Sequence, residues 1–152
     1  MKIQKITPCL WLDNQSREAA AFYCALFDNS AIQSDSGTLV EFTLDGTNFI
    51  ALNGGGVSQF NEAVSFYVLC EDQEEIDRLW QALALNGGSA GRCGWCKDKF
   101  GVSWQIVPRQ FVEMMKTGTP GQIQKLIGVL MNTHKMVIED FEKVYTSDNQ
   151  DS

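Results

Sequence analysis

The first strong pattern along the chain is a stripe of apolar positions at Ala19, Phe22, Tyr23, Leu26 and Phe27. Its i, i+3, i+4, i+7, i+8 spacing predicts an amphipathic helix with Ser16 as N-cap. Ile76, Leu79, Trp80 and Leu83 repeat the spacing in a second helix. Asp72, with Glu75 three residues on, opens it as in a capping box, and Asn86-Gly87-Gly88 ends it. Ala19 falls on Ile76, Phe22 on Leu79, Tyr23 on Trp80 and Leu26 on Leu83, an internal repeat at a constant offset of 57 residues. The flanks repeat too. An apolar strand precedes each helix, Ile6 to Leu12 and Val64 to Cys70, and a turn glycine with a strand closes each half, Phe49 to Asn53 and Val102 to Val107. Leu39 to Leu44 adds an alternating strand, so each half reads β-α-β-β-β.

A four-stranded module of this size has a second sheet face and open edges to satisfy. Pairing the halves meets both needs, and the expectation is an α+β fold of two modules, residues 1–56 and 57–110, whose inner faces curve into a cup. Gly54-Gly55-Gly56 and the residues after it read as a flexible crossover. After Pro108 the repeat stops. Residues 111–152 read as a C-terminal helical extension that packs outside the modules or across a partner, with Thr146 to Ser152 polar and frayed.

Composition narrows the function classes. The 152 residues are 44% hydrophobic, enough for a core. Twelve Lys and Arg against nineteen Asp and Glu give a net charge of −7, and no basic run offers a surface for nucleic acid. No apolar stretch reaches the roughly 20 residues of a membrane helix, and Met1 to Lys5 carries no signal-peptide apolar region. The expectation is a soluble cytoplasmic protein without a nucleic-acid or membrane partner. Five cysteines, an odd count, argue for reduced thiols over a disulfide framework. No G-x-G-x-x-G occurs, so the nucleotide-binding turn of a Rossmann-type methyltransferase is absent from the sequence.

Several ordered words resemble the PhnB-like branch of the vicinal oxygen chelate superfamily, which includes glyoxalase I, extradiol dioxygenases and bleomycin-resistance proteins. They are Ile6-Thr7-Pro8-Cys9-Leu10-Trp11-Leu12-Asp13, Phe42-Thr43-Leu44-Asp45-Gly46, Ala51-Leu52-Asn53-Gly54-Gly55, Phe60-Asn61-Glu62-Ala63-Val64-Ser65-Phe66, Cys70-Glu71-Asp72, Cys93-Gly94-Trp95 and Ser103-Trp104-Gln105-Ile106-Val107-Pro108. They span residues 5 to 108, and the tail is also similar to that branch. Some of its members carry the label of a demethylubiquinone methyltransferase. The resemblance implies the glyoxalase/bleomycin-resistance fold and a homodimer.

It also implies where a metal would sit, because metal-using relatives place one His, Gln or Glu on the first strand and one Glu on the last strand of each half. Here those positions fall on Ser65 and Gln105 in the second half, and near Ile6 to Pro8 and at Ile50 or Leu52 in the first. A lone amide binds a divalent ion weakly. The only histidine, His134, lies in the tail. No metal and no cofactor is expected. Cys93-Gly94-Trp95-Cys96 is a C-x-x-C that leads into a turn and strand, not a helix, so structural packing is the better reading and a redox switch the weaker one.

The expected inner faces carry Ser65, Tyr67 and Leu69, and Ser103, Gln105 and Val107; Ile50 and Leu52 follow by repeat, and Glu41 with Thr43 by alternation. Tyr67 and Trp95 can wall a small-molecule site, with Glu41, Ser103 and Gln105 as polar handles and Ser65 and Ile50 beside them. A packed interior in which Gln105 and Ser65 only bond each other is the competing reading. The leading expectation is metal-free binding of a small organic molecule. The alternatives are a divalent-metal lyase, isomerase or dioxygenase, and a non-catalytic interaction module using the C-terminal helices.

Overall fold

The computed structural model describes residues 3–147; the end of the tail expected to fray, from residue 148 on, lies outside them. Two compact units divide between Gln59 and Phe60.

In the first unit, β1 (Cys9–Leu12), α1 (Ser16–Cys24), β2 (Ala31–Asp35), β3 (Leu39–Leu44) and β4 (Thr47–Asn53) form a sheet of order β1-β4-β3-β2. β1 runs parallel to β4 and the other pairs are antiparallel. Leu10, Leu12, Val40, Phe42, Leu44 and Ala51 are buried with Ala19, Ala20 and Tyr23 of α1. Tyr23 stacks on Phe42 with ring centroids 6.4 Å apart.

Three local expectations change. β1 begins three residues late, because Pro8 has no N–H for a ladder; its carbonyl accepts from Ile50, and Ile6 is exposed. Ser16 is the first helical residue and not the cap. Its N–H donates to Asn53 Oδ1 at 2.9 Å, so the side chain at the end of β4 caps α1 from across the unit. The helix stops at Cys24, leaving Leu26 and Phe27 half-buried in the following turn, where Asn29 adopts φ 53°.

The second unit repeats the topology: β5 (Ser65–Cys70), α2 (Gln73–Leu83), β6 (Ser89–Ala90), β7 (Trp95–Lys97) and β8 (Ser103–Pro108), in the order β5-β8-β7-β6. Asp72 caps α2 as expected, accepting from Glu75 N at 2.9 Å. The returning bond is donated by Glu71 N–H, one residue outside the cap, to Glu75 Oε1. Ile76, Leu79, Trp80 and Leu83 are buried with Cys70, Cys96, Trp104 and Ile106.

The tail is part of this unit. α3 (Arg109–Thr117), α4 (Pro120–Leu130) and α5 (Ile138–Thr146) enclose a cluster of Leu126, Met136 and Phe141 that includes Val107 of β8. Its connection to the module is polar and specific. The Gln73 amide donates to Met136 O and accepts from Ile138 N, while Lys135 pairs with Asp77 at 2.8 Å. Gln73 Nε2 also donates to Asp77 Oδ1 at 2.9 Å, and the bonds from Lys135 and, next, from Gln73 hold the Asp77 carboxyl below its ordinary range. Among the described residues no helix is long and apolar enough to cross a membrane.

Candidate functional site

Each sheet has one face covered by its own helix, which leaves the alternate residues for the other face. On β5, β8 and β7 the register sets Ser65 beside Ser103 and Lys97, then Tyr67 beside Gln105 and Trp95, then Leu69 beside Val107. Tyr67 and Leu69 are each 54% exposed, whereas Val107 is buried by the tail. The residues open to a ligand are therefore Tyr67, Gln105 and Trp95 in one row, with Leu69 at its margin. Partial burial pushes the Tyr67 hydroxyl above its usual value, so it stays protonated and able to donate.

Gln105 Nε2 donates to Ser65 Oγ at 2.9 Å. This diagonal bond fixes the amide and points its carbonyl oxygen elsewhere. Ser103 is 1% exposed, and its hydroxyl donates to Asn61 O at 3.4 Å. A hollow of about 260 Å³ borders this row, lined by Trp95, Lys97 and Ser103 with Glu62 and the Ser89–Gly91 edge. Lys97 and Glu62 form an ion pair there.

In the first unit the corresponding row is Cys9, Ile50 and Glu41, with Ser34 at its end. Glu41 accepts from Ser34 Oγ at 2.9 Å and is exposed. Trp11, 38% exposed, lies over Gly54, where a β-carbon would overlap the indole, and donates Nε1–H to Gly55 O at 2.9 Å. The Gly-rich run thus seats an aromatic side chain. Glu41 and Ile50 share one face of this unit, while Ser65, Tyr67, Trp95, Ser103 and Gln105 share one face of the other.

A divalent ion, as held by metal-using members of the superfamily, does not fit these donors. Gln105 and Ser65 engage each other, Ile50 is hydrocarbon, and neutral amide and hydroxyl oxygens are weak ligands for a divalent ion. Among the described residues no three His, Cys, Asp or Glu side chains are grouped to hold a metal ion. His134 serves the fold: its Nδ1–H donates to Gly91 O at 2.8 Å, which fixes the tautomer.

The C-x-x-C is likewise structural. Cys93 sits in a left-handed turn, φ 59°, and donates Sγ–H to Leu130 O, while its N–H and that of Gly94 bond Thr133 O and His134 O. The turn docks the tail. Cys96 faces α2, where burial, and secondarily Asp98, push its thiol up to about 12; Cys70 is pushed up to about 12 chiefly by burial. The neutral thiols contribute stability that is full below the ordinary value of 9.0 and declines as pH rises toward 12. Iodoacetamide at pH 8 is expected to alkylate the exposed Cys9 while sparing Cys70 and Cys96 in native protein. Peptide mass spectrometry reads the order, and early labelling of Cys96 contradicts its placement.

One buried group escaped the sequence reading. Asp98, 3% exposed, accepts from Phe100 N at 2.8 Å, Val102 N at 3.1 Å and Trp104 Nε1 at 2.9 Å. It pins the β7–β8 turn and so positions the strand that carries Gln105. An Asp followed at i+3 by Gly101 is a turn signal that was available in the sequence.

With this geometry in place, a family model described as 3-demethylubiquinone-9 3-methyltransferase matches residues 4–107. The chain belongs to that family. A PhnB protein from Bacillus cereus is 35% identical, with a TM-score of 0.64 over 69% of this chain and 99% of that one. PA1353 from Pseudomonas aeruginosa is 19% identical, with a TM-score of 0.56 over 70% and 98% of the two chains. A gene product from Arabidopsis thaliana is 19% identical, with a TM-score of 0.50 over 68% and 97%. Those two show the fold alone. No curated protein matches the sequence. This PhnB-like family fits the vicinal oxygen chelate superfamily and its paired β-α-β-β-β modules. The family match ends at residue 107, before the helical extension begins.

Proposed function

We propose that this PhnB-like protein binds a small organic molecule without a metal ion, on the open face of the second unit's sheet, and that it works as a homodimer in the cytoplasm. The observation that carries the reading is the Tyr67–Gln105–Trp95 row. Two aromatic side chains flank an amide held in place by Ser65, with about half of Tyr67 exposed. Flat apolar walls with one or two fixed polar groups are the usual make-up of a small-molecule site. Glu41 and Ile50 on the first unit's open face supply a carboxylate and an apolar surface for the same class of ligand.

Thermal shift of chelator-treated protein against small aromatics and dicarbonyls tests this. A ligand that binds only the folded state at a hundred times its Kd adds about 2.7 kcal/mol, which raises Tm by several degrees. Tyr67→Ala is expected to abolish the shift. Stoichiometric zinc, iron, nickel or manganese in the purified protein, lost on Gln105→Ala, would replace this reading with the metal-dependent lyase, isomerase or dioxygenase.

A further inference from the structure

The hollow beside β7 combines features that the row alone does not have. Trp95 and Lys97 are two residues apart on one strand, so they face the same side with their α-carbons roughly 7 Å apart. An aromatic side chain and an ammonium thus line the same hollow from one side of one strand. Lys97 is the only cation among the hollow's lining residues, and Ser103 forms part of its wall. The volume, about 260 Å³, is just below the roughly 300 Å³ at which drug-sized ligand sites begin, and suits one ring with one substituent.

The ammonium already has an anion on it. Glu62, in the segment before β5, reaches Lys97, and its side chain is 64% exposed. The hydrogen bond from Lys97 holds the Glu62 carboxyl below its ordinary range, which favours its ionised form. Exposed ion pairs contribute little, and exchanging one carboxylate for another conserves charge at the ammonium. Glu62 therefore marks what the position accepts without blocking it.

We propose that the hollow takes a small aromatic carboxylate, its ring against Trp95 and its carboxylate on Lys97 in place of Glu62. The proposal rests on the small-molecule reading above and names the ligand class. Glu62 is an internal competitor, which keeps the ammonium neutralised until a ligand carrying its own apolar surface arrives.

Isothermal titration at low ionic strength, with benzoate and its neutral isostere benzamide, tests the assignment. Wild type is expected to prefer benzoate by about tenfold, the effect of one charge-assisted contact. Lys97→Met is expected to erase the preference while leaving benzamide binding intact, which also shows that the variant is folded. Glu62→Gln is expected to tighten benzoate several-fold and leave benzamide unchanged. Equal affinity of the two probes, a preference that survives Lys97→Met, or weaker benzoate binding by Glu62→Gln overturns the assignment. If neither probe binds while other members of the thermal-shift panel do, this proposal alone fails; if nothing in the panel binds, the reading beneath it fails as well.

Discussion

Replacing Asp98 by Ala is expected to destabilise the second unit by about 4 kcal/mol, a large part of the 5–15 kcal/mol typical of a domain. The carboxylate is 3% exposed and accepts from Phe100 N, Val102 N and Trp104 Nε1. Alanine leaves three donors in or near the core without an acceptor, and charge-assisted bonds of this kind count for about 1.5–3 kcal/mol each when removed. The losses overlap, because water can enter a turn that has loosened, so the sum is smaller than three times one bond. Asp98→Asn is expected to lose about half as much. Its amide oxygen can still accept from the two backbone groups, but its NH2 then meets the indole N–H donor to donor. Urea unfolding followed by tryptophan fluorescence measures both variants. A loss below about 1 kcal/mol for Asp98→Ala would show that the turn holds without its carboxylate.

Gly88→Ala is expected to cost about 3 kcal/mol, through overlap in place of a lost bond. Gly88 lies between the end of α2 and the edge of the sheet. A β-carbon there would fall well inside contact distance of two backbone carbonyl oxygens, those of Leu83 and Lys97. Neither belongs to a flexible side-chain end, so relief requires moving the last turn of α2 or β7 itself. Gly128→Ala is the control, because a β-carbon at Gly128 meets nothing within 4 Å and alanine favours a helix. Calorimetric melting of the pair separates steric overlap from a general effect of adding a methyl group. Equal Tm values for the two variants would contradict the close approach.

The sequence carried the repeat and the helix stripes because both are local patterns. Asp72 and Glu75 set the start of α2, and Ile76, Leu79, Trp80 and Leu83 set its buried face, all within about three turns of one helix. The alternation on β3, β5 and β8 likewise gave the faces on which Glu41, Tyr67 and Gln105 lie, since a strand's period of two leaves no choice once one face is buried. Contacts distant in sequence were illegible. Asn53 caps α1 across 37 residues, and Ser16 takes the role of a buried first-turn residue whose hydroxyl has no hydrogen-bond partner among the described residues. The two-residue β6 is too short to show a period.

The candidate site was legible in part for the same reason. Gln105 and Ser65 were expected on one face, and their mutual bond was the competing reading; the structure has that bond and an open aromatic row beside it. Val107 was expected on the same face and lies there, but the tail covers it, and an amphipathic stripe does not say which surface it will cover. Asp98, between Lys97 and Lys99, reads as a surface charge until Trp104 is seen to fold back on it. The Lys97–Glu62 pair joins residues that no motif connects.

The central claim is that the Tyr67–Gln105–Trp95 face meets an organic ligand directly. Nitrogen-15 NMR of metal-stripped protein reads it at the face itself, through the Gln105 side-chain amide and the Trp95 indole N–H, each assigned by substitution. Titration with a thermal-shift ligand is expected to move both resonances together and to saturate at one equivalent, with added zinc or manganese leaving them in place. Resonances that ignore the ligand and respond to a stoichiometric divalent ion would contradict the account.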